Sequence, residues 1–98
     1  MTAYVAHIGF LVVDLHVPDA QSLKQKRSVI KSIKERIKNN FNVSVAELGE
    51  HDKWQRAVIG IIMLGNDKSY VESILSKIRD KISMNPGSHL IDSQIQWL

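Results

Sequence analysis

Residues 41–65 read FNVSVAELGEHDKWQRAVIGIIMLG, two apolar-patterned runs joined by a short polar segment. Phe41, Val43 and Val45 alternate with Asn42, Ser44 and Ala46, the period-two pattern of a strand with one face buried. Gly49 to Lys53 is polar and short enough to be a hairpin connection. Trp54 to Leu64 then runs as a second, more apolar strand, closed by Gly65-Asn66-Asp67. A lone hairpin is not stable in water, so the flanking elements must cover its apolar side.

Both flanks are helical. Upstream, Ser22 is a good helix N-cap, and Gln25 three residues on completes a capping box. Leu23, Ile30, Ile33 and Ile37 recur at helical spacing up to Asn39-Asn40. Downstream, Val71, Ile74, Leu75, Ile78 and Ile82 trace a second apolar stripe that ends at Asn85-Pro86-Gly87. Further out, Tyr4 to Val17 is a strand stopped by Pro18-Asp19, and His89 to Leu98 is a last, short strand. The order is β-α-β-β-α-β. That is the ferredoxin-like α+β pattern, a four-stranded antiparallel sheet with two helices on one face, and residues 1–98 are read as a single domain.

Within Trp54 to Leu64, Ala57, Ile59, Ile61 and Met63 point one way, and Val58, Ile62 and Leu64 the other, with Gly60 between them. One side lies under the helices. The other is apolar as well, so it calls for a cover, and a homodimer formed through the sheet is the expected one. The competing readings are an exposed patch, or coverage by the C-terminal segment with Trp97.

The composition suits a globular domain, with 44% apolar and 23% charged residues among 98. There is no cysteine, which removes disulfides, zinc-thiolate sites and thiol nucleophiles. The longest apolar run, Ala57 to Leu64, is too short to cross a bilayer, and MTAYVAHIGFLVVDLH lacks the basic flank and cleavage site of a signal peptide. No membrane partner is expected.

Charge is distributed unevenly. Ser22 to Asn40 holds seven Lys/Arg against the one carboxylate of Glu35, whereas the rest of the chain has six basic and nine acidic residues. The net charge of +3 therefore has its whole positive excess on one helix. At about 100° per residue, Lys24, Arg27, Lys31, Lys34 and Lys38 fall within an arc of about 80°. They span roughly 21 Å at a rise of about 1.5 Å per residue. Such a stripe can meet several phosphates of a nucleic acid, and the plain alternative is the solvated side of a Lys-rich helix. Arg36 lies elsewhere on the wheel. Lys26 lies at the middle of the apolar arc and is expected to snorkel past the sheet edge. Otherwise it must meet a carboxylate, with Glu47 or Asp52 in reach by topology.

Other chemistry is sparse. RNA-recognition motifs share this topology but stack bases on sheet aromatics, and WQRAVIGIIML lacks their aromatic pattern. Tyr4 and Phe10 make no platform alone. His7, His16, His51 and His89 are dispersed; only Glu50-His51-Asp52 concentrates titratable groups, and three adjacent residues do not converge on one metal ion. No phosphate-cradling Gly-rich loop, nucleophile elbow or HExxH occurs. No catalytic residue, metal or cofactor is expected. Gly9 and Gly60 read as bulges or close-packing points. Trp54-Gln55-Arg56 is a candidate partner-binding group, because a Trp at a strand start can anchor a partner; Trp54 is also expected to cap the end of the core.

Three motifs, S-L-K-x-K-R-x-V-x-K-S at Ser22 to Ser32, F-N-V-S-V-A-E at Phe41 to Glu47 and D-x-W-Q-x-A at Asp52 to Ala57, carry a resemblance. In them the chain resembles the YlxP-like family of small bacterial proteins of unknown function, over most of its length. The resemblance implies a ferredoxin-like fold and a cytoplasmic location. It also implies a gene lying near those of transcription elongation and translation initiation, a context that suggests work on RNA or the ribosome. It supplies no catalytic residues. The expectation is an accessory protein, not an enzyme, that binds structured RNA or the ribosome through Lys24, Arg27, Lys31, Lys34 and Lys38, with Lys26 and Arg36 as further candidates. The alternative is a dimeric protein-interaction or small-ligand module.

Overall fold

A computed structural model describes residues 3–98; Met1 and Thr2, which open the 1–98 domain read above, lie outside the described residues. The elements follow in the order β1 (His7–His16), α1 (Leu23–Asn40), β2 (Ser44–Gly49), β3 (Arg56–Gly65), α2 (Lys68–Ser83) and β4 (His89–Trp97). The strands form one antiparallel sheet in the order β2-β3-β1-β4. This is the ferredoxin-like βαββαβ arrangement.

Both helices start on side-chain caps. Ser22 Oγ accepts from the Gln25 amide at 3.1 Å, and Gln25 Oε1 accepts from the Gln21 amide at 2.6 Å. The capping box thus closes one residue earlier than the simple pattern, on the residue before the cap. For α2, the Asp67 carboxylate accepts from the amides of Ser69 and Tyr70. The apolar stripes then meet one face of the sheet. Ile30, Ile33 and Ile37 of α1 and Val71, Leu75, Ile78 and Ile82 of α2 are buried with Leu11, Val13 and Leu15 of β1 and Ala57, Ile59 and Ile61 of β3. Each such Leu, Ile or Val side chain contributes about 1.5–3 kcal/mol by leaving water.

Strand boundaries are narrower than the sequence pattern suggests. Phe41 does not start β2: its amide donates to Ile37 O at 2.9 Å and ends α1. Nor do Trp54 and Gln55 start β3, because Gln55 O is taken by the Val17 amide at 3.0 Å. β1 begins at His7, not Tyr4. Gly9 and Gly60 are close-packing points within the unbroken β1–β3 register. A Cβ on Gly9 would stand 2.6 Å from Leu75 Cδ1, and one on Gly60 would stand 2.5 Å from Leu48 Cδ1.

The outer sheet face is apolar, as the third-strand pattern implies. Ile62, Leu64 and Leu48 are exposed there, and Leu64 remains 65% accessible. Phe10, Leu48, Gly60, Ile62 and Leu98 line a groove of about 220 Å³ on it. Trp97 does not cover this face. It pairs with Gly9, packs against the core on the helix side, and carries Lys68 Nζ 4.9 Å above its ring.

Candidate nucleic-acid interface

The outward side of α1 that flanks its buried stripe is set by the sequence, since a helix buried on Ile30, Ile33 and Ile37 must turn its other residues outward. Lys24, Arg27, Lys31 and Lys38 are exposed, and Lys34 is half-buried beside the apolar stripe. Among the described residues, the one carboxylate in ion-pair range of the five is Glu35, 3.9 Å from Lys31 Nζ and itself exposed. A pair that open and that long neutralises little. The stripe therefore presents a nearly continuous line of cations to water.

Arg36 does not belong to that line. It lies on another face of α1, and its Nη1 donates to Asn85 Oδ1 at 2.8 Å, joining α1 to the turn after α2. Asn85 in turn donates to Pro86 O at 2.9 Å.

Lys26 is the clearest correction. It does not snorkel; it is completely buried, and its Nζ is surrounded by the β2–β3 hairpin. The ammonium donates to Glu50 O at 2.6 Å, Arg56 O at 3.1 Å and His51 O at 3.4 Å. An ammonium has three protons, and three carbonyls take them. Glu47 Oε2 stands 3.5 Å away, in ion-pair range but without a hydrogen bond, so its charge balances the ammonium while the carbonyls satisfy the donors. Lys26 is consequently withdrawn from any phosphate. Asp52, the other partner allowed by topology, takes no part.

That cage organises the hairpin tip. Glu50 adopts φ +62, a left-handed conformation uncommon for a side chain that is not glycine, and its carbonyl receives the shortest of the Lys26 bonds. Lys53 closes the turn twice, through its amide to Glu50 O at 3.1 Å and its Nζ to Glu50 Oε2 at 3.1 Å. Among the described residues no three His, Asp or Glu side chains gather as a metal-ligand set, and Glu50 is directed to Lys53 instead.

The Trp54-Gln55-Arg56 group divides. Gln55 Nε2 donates to Pro18 O at 3.0 Å and Ala20 O at 3.2 Å, fastening the hairpin to the β1–α1 connection. Arg56 makes a two-nitrogen grip on Asp14, with distances of 2.8–3.3 Å, on the outer sheet face. Both polar groups have internal work. Trp54 does not cap the core; it is 53% exposed, in the loop before β3. Asp14 and Asn85 were not legible as partners, since neither position is distinctive until strand register and the α2–β4 turn bring it to its arginine.

Comparison with known proteins adds the family. The family described as "Protein of unknown function (DUF503)" matches residues 8–95. The chain is 36% identical to the uncharacterized protein YlxP of Bacillus subtilis (strain 168) over 90 residues, which is 92% of this chain and 98% of that one. Among solved structures, the de novo designed protein Foldit4 superimposes with a TM-score of 0.55 at 17% identity, covering 96% of this chain and 97% of that chain. That likeness concerns the fold alone. No helix of the described residues is long and apolar enough to cross a membrane.

Proposed function

The chain belongs to the DUF503 family of proteins of unknown function, and from that premise we propose that it is a non-enzymatic accessory protein of the cytoplasm that binds structured RNA or the ribosome through α1. One observation carries the reading: Lys24, Arg27, Lys31, Lys34 and Lys38 share one side of α1 with a single, long carboxylate contact among them. Charges on one line, about one turn apart and with little neutralisation, suit a polyanion that offers several phosphates along the same length. Recognition of this kind reads backbone shape and not base sequence.

The test is binding to purified ribosomal subunits and to a structured ribosomal RNA fragment from about 50 to 300 mM salt. Five phosphate contacts predict a loss of roughly three orders of magnitude in affinity over that range. The Lys31→Glu/Lys34→Glu variant should lose binding. Equal binding by the variant, or none by the native protein at low salt, would return the stripe to a solvated helix face.

A second reading rests on the outer sheet face, where Ile62, Leu64 and Leu48 are exposed around a groove also lined by Phe10 and Leu98. We propose that a second copy covers it, giving a homodimer whose seam could also serve as a protein-interaction or small-ligand site. Sedimentation of the native chain and of Leu64→Lys tests this. A dimer converted to monomer supports it, and a native monomer at micromolar concentration removes it.

A further inference from the structure

Trp54 combines an open indole with a loop that is fastened on both sides. Residues on both sides of it are tied. Before it, the Glu50 and His51 carbonyls are held by Lys26 Nζ, and the Lys53 amide and ammonium are held by Glu50. After it, Gln55 bonds through both backbone carbonyl and side chain to the 17–20 connection, and the Arg56 carbonyl returns to Lys26. The loop is therefore rigid while the indole stays 53% exposed. A preordered aromatic group loses little freedom when something stacks on it.

Its surroundings indicate what that something is. The fastening bonds reach the 17–20 connection and Lys26, so the loop sits at the N-terminal end of α1, the end that also carries Lys24 and Arg27. Neither of these has a carboxylate in ion-pair range among the described residues. The neighbours of Trp54 in the loop, His51, Asp52, Lys53 and Gln55, are all exposed and polar. Asp52 is the one acidic group there without a cation, since Glu50 is paired with Lys53 and Glu47 with Lys26. An exposed indole at the end of a helix that carries a line of cations offers the two components by which proteins hold an unpaired nucleotide, a stacking platform and a backbone track.

We infer that Trp54, held open by the Lys26 cage and the Gln55 clamp, stacks on an unpaired base of an RNA whose phosphates run along the α1 stripe. This rests on the RNA reading of α1 and adds to it the kind of RNA: a helix interrupted by a loop, bulge or frayed end, in preference to a continuous duplex.

The experiment uses the full chain and two RNA probes of equal length, a hairpin with an unpaired loop and a blunt continuous duplex. Native protein, Trp54→Ala, Trp54→Phe and Lys31→Glu/Lys34→Glu are titrated against each, with melting curves confirming that each variant is folded. The inference predicts that native protein favours the hairpin. Trp54→Ala should weaken hairpin binding roughly 5- to 100-fold with the salt slope and duplex binding unchanged, Trp54→Phe should recover part of it, and the stripe variant should lose both RNAs. If folded Trp54→Ala binds the hairpin as the native protein does while the stripe variant loses it, the stacking role falls and the RNA reading stands. If the native protein binds neither RNA at 50 mM salt, both fall together.

Discussion

Lys26 Nζ and Glu47 Oε2 lie 3.5 Å apart across the seam between α1 and β2, with only 1% and 16% of their side chains open to water. The pair is not a conventional salt bridge, because the protons of the ammonium go to three backbone carbonyls. Its consequence is architectural: one side chain of the basic helix holds the hairpin tip that carries Trp54.

Replacing Lys26 by Met keeps the aliphatic stem and deletes the ammonium. It leaves three carbonyls without their donor and Glu47 without a counter-charge, and should cost about 3–5 kcal/mol, read as a lowered urea midpoint. Glu47→Gln keeps the carbonyl cage and should cost about 1–2 kcal/mol. A larger loss for Glu47→Gln than for Lys26→Met would mean that the carboxylate, and not the cage, is the anchor.

Gly9 and Gly60 should respond differently to alanine. The new Cβ at Gly9 would press on Leu75, which is wholly buried and has nowhere to move, with Val71 at 3.1 Å and Trp97 at 3.2 Å behind it. At Gly60 the nearest atom belongs to Leu48, a half-exposed side chain that can swing into solvent. Gly9→Ala is expected to cost about 2–3 kcal/mol and Gly60→Ala about 1 kcal/mol or less, measured by chemical denaturation.

Arg36→Ala separates structure from binding among the helix cations. Asn85, itself buried, loses the donor to its Oδ1, and stability should fall by about 1–2 kcal/mol. RNA affinity should change less than about twofold, since Arg36 faces away from the stripe. A reduction as large as that of a stripe variant would place Arg36 among the phosphate contacts.

Asp67→Ala removes the acceptor for the Ser69 and Tyr70 amides and should cost about 1 kcal/mol, seen in thermal unfolding. No effect on RNA binding is expected, because α2 carries no part of the stripe.

Whereas the Asp67 cap of α2 came from the structure, the sequence alone determined the element order, the Ser22 cap of α1, the inner and outer faces of β3 and the line of five cations on α1. All of these are local: a helical or strand period assigns a residue to a face through bonds made within a few positions of it. The destinations of Lys26, Arg36, Arg56 and Trp54 were decided only by tertiary structure. A helical wheel places Lys26 on the buried arc, but its acceptors lie 24, 25 and 30 positions away and converge only when the hairpin turns at Glu50 and folds over α1. Arg36 and Arg56 likewise meet Asn85 and Asp14 at separations of 49 and 42. Trp54 reads as a strand-opening core residue until Gln55 is drawn to the 17–20 connection, which delays β3 to Arg56 and leaves the indole outside. Periodicity records which side of an element faces inward; it carries no information about which distant atom will be waiting there.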